Sequence, residues 1–273
     1  MIKRFGATEM SRLMVNKISR FGFKSEKGGV HTSRTMMLED LRTLLSCVRN
    51  PNPNKIDYIK AIEEDNCLSK RSGRTRKLTA RHLISLYALD PSVTIFRALL
   101  YFWNRDLEGQ PLLALICACA RDPLLWLSAD FILKFDKNET ITRKALEEYI
   151  DSKDPGRFSK ATLSSTAQNL NSTWTKSGHL IGKARKTRSK AIATPGSVSY
   201  GLFLGYLIGF RGEALFMTDF AHLLDCPLEK AMELAEEASR RGWIIFKHVG
   251  NVIDVQFPNI LTAEEREWIF DQN

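Results

Sequence analysis

Residues Thr218–Phe257 read TDFAHLLDCPLEKAMELAEEASRRGWIIFKHVGNVIDVQF, and the change of period along this stretch decides the class of fold. Thr218 is placed to cap a short helix through Leu224, and Asp225-Cys226-Pro227 makes a turn. A second helix runs from Leu228 to Arg241 and stops at Gly242. Trp243–His248 and Val252–Phe257 then flank Gly250-Asn251, a strong hairpin signal. With a helix over Tyr200–Phe210 in front, the order is three helices and a hairpin, which is the winged-helix order.

The same order recurs upstream. Thr142–Ile150 is expected to be helical, Asp151–Gly156 is rich in turn residues, and Ser159 can cap a longer helix that runs to about Lys176 and closes at Gly178. His179–Gly182 and Ala191–Thr194 read as two short strands on either side of a basic tract. Before them, residues 36–135 form a helical domain that opens with a helix-turn-helix-like part. Met36–Val48, Lys55–Glu64 and Thr75–Leu89 place apolar residues at helical spacing, and Asn50–Asn54 separates the first two. Apolar helices follow over Ser92–Trp103, Pro111–Ala120 and Pro123–Phe135, with Asp122 as a cap before Pro123. Residues 1–35, with Phe5, Phe21 and Phe23, read as a basic N-terminal arm. The expected fold is therefore mainly α: a helical bundle with helix-turn-helix or winged-helix units at 136–196 and 197–273 and short β-hairpin wings.

Charge points to the ligand. The chain of 273 residues has a formal net charge of +9, distributed as +9 over residues 1–90, −2 over 91–156, +8 over 157–190 and −6 over 191–273. Residues 157–190 hold eight Lys or Arg and no Asp or Glu. Such self-repulsion is turned into binding free energy when a phosphate backbone releases its counterions. Lys183, Arg185, Lys186, Arg188 and Lys190 would form a cationic wing beside Lys160 and Lys176 of the preceding helix. Ser159, Thr162, Ser164, Ser165, Gln168 and Asn169 supply short polar groups on that helix. A second cluster, Lys70, Arg71, Arg74, Arg76, Lys77 and Arg81, surrounds a helix N-terminus. Arg74, Lys77 and Arg81 share one face of it. In the C-terminal unit, Glu229, Glu233, Glu236 and Glu237 oppose docking on phosphates, so that unit reads mainly as a protein-docking surface.

The second cluster also carries a resemblance. Glu64-Asp65-Asn66-Cys67-Leu68-Ser69-Lys70-Arg71-Ser72, continuing through Thr75-Arg76 into an apolar helix, resembles the N-x-L-x-K-x-S-x-x-T-R stretch of the BrxA family of bacterial BREX phage-defence systems. Lys27-Gly28-Gly29 before the Leu38, Leu41, Leu44 helix is similar to that family's opening. The resemblance spans about Phe23 to Leu180. It implies a helical, non-enzymatic protein that binds double-stranded DNA and works with other BREX proteins.

Several classes are disfavoured. The apolar stretch Pro111–Leu133 is broken by Arg121 and Asp122, leaving runs shorter than the roughly 20 residues a bilayer needs. Five cysteines without ligand spacing suggest structural thiols in a reducing cytoplasm and no zinc site. No secretion signal is evident. Gly-rich phosphate loops, G-x-S-x-G and H-E-x-x-H are missing, so neither a catalytic centre nor a cofactor is expected. Four alternatives to a DNA-binding component stay open: an interaction scaffold for acidic proteins, a transcriptional regulator, an RNA binder, and a nuclease assembled from distant carboxylates.

Overall fold

Capping side chains set where most of the helices begin. In the computed structural model, which describes residues 17–25, 29–250 and 252–270, the N-terminal part holds α1 (Leu38–Cys47), α2 (Lys55–Glu63) and α3 (Gly73–Tyr87). Asn54 and Asp57 form a reciprocal capping box on α2, and Ser72 Oγ accepts the Thr75 amide at 3.2 Å on α3. Next come α4 (Thr94–Trp103), α5 (Gln110–Cys119) and α6 (Pro123–Leu133). Phe5, Lys27, Gly28 and Asn251 lie outside the described residues.

The protein is mainly α-helical, with two small antiparallel sheets. β1 (Thr140–Ile141), α7 (Arg143–Lys153), α8 (Lys160–Lys176), β2 (Leu180–Ile181) and β3 (Lys186–Arg188) follow α6. Strand β3 is central in a sheet of order β1-β3-β2. The expected second strand at Ala191–Thr194 is therefore displaced into the basic tract itself. Thr194 instead caps α9 (Pro195–Leu207) with Ser197, and Pro195 occupies the first turn where its missing N–H costs nothing. That helix starts five residues earlier than its apolar run suggests. The last unit contains α10 (Asp219–His222), α11 (Leu228–Arg240), β4 (Ile245–Val249), β5 (Val252–Gln256) and α12 (Ala263–Phe270).

Every residue of α9 except Tyr206 is buried, so it forms the axis against which α4, α5, α10 and α11 pack. Close approach requires its glycines: a Cβ on Gly205 would sit 3.0 Å from Thr218 Cγ2, and one on Gly201 would sit 3.2 Å from the Phe220 carbonyl oxygen. Buried apolar side chains from Phe21 to Ile269 join one cluster. At the far end Glu265 accepts hydrogen bonds from Thr94 Oγ1 at 2.5 Å and from the Thr262 amide at 2.9 Å, and it pairs with Arg97. This contact fastens α12 to α4.

Arg121 and Asp122, which interrupt the apolar run, are both buried and both bonded. The Arg121 guanidinium donates to the carbonyls of Ser85 at 3.0 Å and Ile84 at 3.2 Å, and also to that of Gly22. A cation is thereby held on the carbonyls at the C-terminus of α3, where the helix dipole favours positive charge. Asp122 caps α6 through the amides of Leu124 and Leu125, at 3.0 and 3.2 Å. Its other oxygen accepts from the Val30 amide at 2.6 Å and from His31 Nδ1 at 2.9 Å. His31 Nε2 lies 2.9 Å from Thr173 Oγ1 on α8. No single helix among the described residues is long and apolar enough to cross a membrane; α5 and α6 reach that length only as a pair bent by 117°.

Burial raises the Asp122 carboxyl, but the His31 charge, the His31 ring hydrogen bond and the backbone amides outweigh it and hold the group below the usual carboxylate range. A carboxyl depressed in the folded state contributes stability that is present above its unfolded value and lost as pH falls through the folded value. Asp225 and Glu265 are depressed in the same way. Urea midpoints are thus expected to fall once the pH drops below about 4. Asp122→Ala should cost about 3–5 kcal/mol at neutral pH, since it strips a buried charge network of one partner. It should also make the acid limb shallower, and an acid limb identical to that of the unaltered protein would contradict the assignment.

Candidate nucleic-acid interface

Helices α7 and α8 pack against each other and are joined by a tight turn, with Thr142 and Ser159 as their caps. Over its 17 residues α8 contains no carboxylate. One side is buried through Thr166, Ala167, Leu170, Thr173 and Trp174, and the Trp174 indole N–H donates to Ser128 Oγ at 2.8 Å. A second side carries the segment Val30–Thr35. Asn169 Nδ2 donates to the His31 carbonyl at 3.0 Å, and Ser165 Oγ contacts the Thr32 carbonyl at 3.5 Å. Two of the expected polar groups thus bond within the protein, although Ser165 stays exposed. Lys160, Ala161 and Gln168 remain exposed on the N-terminal half, and Lys176 on the C-terminal end.

After α8, strands β2 and β3 pair as Leu180 with Arg188 and Ile181 with Thr187, while β1 pairs Thr140 with Thr187 and Ile141 with Lys186. The connecting turn carries the exposed cations Lys183 and Arg185. Gly182 makes the turn possible, because φ is +94° and a Cβ there would lie 2.2 Å from the Arg185 carbonyl oxygen. Lys186 Nζ donates to the Gly182 carbonyl at 2.6 Å and is half-buried, which lowers its pKa. Arg185 donates twice to Thr140 Oγ1, at 3.1 and 2.8 Å, so its guanidinium lies across the sheet toward β1. Thr140 went unnoticed in the sequence, since a two-residue strand has no period to detect.

Arg188 departs from the expectation that it faces phosphate. Its side chain is 2% exposed and makes a bidentate pair with Asp225, at 2.8 Å on each oxygen. It also donates to the His179 carbonyl at 3.2 Å. Lys190 Nζ reaches the same carboxylate at 3.1 Å but stays exposed. Behind them His179 is fully buried. Its Nε2–H donates to the Leu223 carbonyl at 3.0 Å, leaving Nδ1 beside Ser177 Oγ at 2.8 Å. Burial, opposed mainly by Asp225, lowers its pKa to about 4. The expected wing is therefore divided. Arg188 joins the basic unit to the acidic one, and the turn cations face solvent.

In the second cluster Lys70 Nζ pairs with Asp40 at 2.8 Å. Arg71, Arg74, Lys77 and Arg81 are exposed, and none of them has an ion pair among the described residues. Arg76 is half-buried, with Nε lacking a hydrogen-bond partner. On α11, three of the four glutamates that argued against phosphate are compensated on the same helix. Glu233 pairs with Lys230, Glu236 with Arg240 and Glu237 with Arg241.

No group of three or more His, Cys, Asp or Glu among the described residues is arranged to hold a metal. Asp122, His31 and Thr173 line up as a carboxylate, an imidazole and a hydroxyl, but all three are buried and Thr173 Oγ1 accepts the Met36 amide at 2.9 Å, so the trio serves as an internal bridge. An open cleft of about 630 Å³ beside Asp225 is lined by Asp130 and Asp219 as well as Lys134 and Lys190, a mixed set with no preference for an anion.

The two kinds of wing cation should separate in a stability assay. Arg188→Ala is expected to lower unfolding free energy by about 3–5 kcal/mol because it leaves Asp225 buried without its main partner. Lys183→Ala should stay within about 0.5 kcal/mol of the starting protein. Equal effects in chemical denaturation would contradict the division. Neither a protein-family model nor a curated protein sequence matches the chain.

Proposed function

We propose that the protein is a non-catalytic component that binds double-stranded DNA through phosphate contacts, using residues 136–196 as a winged-helix unit. The observation that carries this reading is that Lys160 on α8 and Lys183 and Arg185 in the β2–β3 turn are exposed and have no ion pair among the described residues. The element order β1-α7-α8-β2-β3 with sheet order β1-β3-β2 supports it, since α8 then takes the recognition position and the cationic turn takes the wing. Short neutral side chains on α8 suit sugar-phosphate contacts better than a unique base pattern, so binding is sequence-tolerant. The α3 cluster acts as a second clamp. On the resemblance to the BrxA family, the setting is a BREX-type defence complex.

The C-terminal unit serves a different partner on this reading. Val249 and Val252, at the tip of the β4–β5 hairpin, are 76% and 70% exposed, which favours docking on a protein. Co-purification of other defence proteins after nuclease treatment, lost when both valines become serine, tests that role.

A random 30-base-pair duplex titrated at increasing KCl tests the DNA-binding role. With about six to eight phosphate contacts, log K should fall against log salt with a slope of about −5 to −7. Replacing both Lys183 and Arg185 by Glu should flatten the slope and weaken binding by about tenfold or more. A salt-independent affinity, or one unchanged by both substitutions, would overturn the proposal.

A further inference from the structure

The segment Val30–Thr35 lies between the two basic clusters. Its 3-10 turn, Val30–Thr32, packs on α8 and also on α3. Asp122 and Asn169 hold it from below through the Val30 amide and the His31 carbonyl. Arg34 follows, fixed by its amide, which donates to the Val30 carbonyl at 2.8 Å. The Arg34 guanidinium donates to the neighbouring Ser33 carbonyl at 2.9 Å. On the α8 side, Lys176 Nζ donates to Thr35 Oγ1 at 3.3 Å, which places that ammonium next to Arg34 in the chain. On the α3 side, Arg81 is exposed beside His82. His82 is half-buried, and its pKa is lowered by burial first and then by the charges of Arg34 and Arg81.

None of Arg34, Arg81 and Lys176 has an ion pair among the described residues. Three uncompensated cations carried by α3, by α8 and by the fixed segment that packs on both repel one another, and an anion relieves that repulsion. We infer that Arg34, Arg81 and Lys176 form a phosphate-binding seam that joins the α3 cluster to α8, so that a single duplex is held across both. Arg34 is absent from either cluster in the linear sequence. It reaches this position because His31, three residues earlier, is tied to Asp122.

The seam rests on the DNA-binding reading of the wing, and the test separates the two. Full-length Arg34→Glu/Arg81→Glu and Lys183→Glu/Arg185→Glu proteins are compared on the random 30-base-pair duplex by fluorescence anisotropy over a KCl series, with thermal melts as a folding control. The milder Arg34→Gln/Arg81→Gln protein replaces the first if its melt is disturbed. A continuous seam predicts that the Arg34/Arg81 change weakens binding by about tenfold or more and reduces the magnitude of the salt slope by about 2, one unit for each lost contact. Unchanged binding by that protein, together with weakened binding by the wing variant, overturns the seam and leaves the wing in place. Unchanged binding by both overturns the seam and the DNA-binding reading together.

Discussion

The carboxylate of Asp122 holds together the parts on which the basic surface depends. A buried charge is costly unless its partners satisfy it, and here an imidazole and four backbone amides do so. Those partners come from α6 and from the Val30–His31 segment, and His31 extends the link to α8 through Thr173. Its neighbour Arg121 performs the complementary task on the carbonyls at the end of α3. Two adjacent residues of opposite charge therefore fix both helices that carry the uncompensated cations. They also divide what would otherwise be one long apolar run into α5 and α6, bent by 117°.

Pairing then sorts the cations. Lys70, Arg97, Arg188 and Lys190 each meet a carboxylate and help to hold the fold. Arg188 and Asp225 matter most, because they couple the β2–β3 sheet to the turn before α11. Arg74, Lys77 and Arg81 on α3, Lys160 and Lys176 on α8, and Lys183 and Arg185 in the β2–β3 turn face solvent without an ion pair among the described residues. A one-signed surface of this kind raises the local concentration of polyanions and speeds their encounter. Such a field is screened by salt over about 10 Å at 0.1 M, so the binding proposed for this surface is one that ionic strength weakens.

Much of the helical layout was legible because caps and periodicity are local signals. Asp122 before Pro123, Ser159 before Lys160 and Thr218 before Asp219 act as caps as their residue types suggest. The β4–β5 hairpin was legible from the Gly250-Asn251 turn signal between two strand-like runs. Long-range pairing was not legible. Strand β3 falls inside a run of cations and is recognised by its pairing with β2 on one side and, on the other, with Thr140–Ile141, more than forty residues away. The Thr194-Pro195 start of α9 carried a capping signal, but its position after the apolar residues Ala191, Ile192 and Ala193 disguised it as a strand end. Helix α12 has few local cues and is fixed by Glu265 meeting Thr94 and Arg97. The candidate site divides similarly: composition located its cations, yet nothing local distinguishes Arg188, bound to Asp225 37 positions on, from solvent-facing Lys183. Arg34 needed the fold to join them.

Hydrogen–deuterium exchange of the full-length protein, with and without a random 30-base-pair duplex, tests the central claim most directly. Protection is predicted in peptides covering the N-terminal half of α8, the Gly182–Arg185 turn and the start of α3, with the β4–β5 hairpin unaffected. Protection confined to α11 and that hairpin, or no protection by the duplex at low salt, would contradict the account.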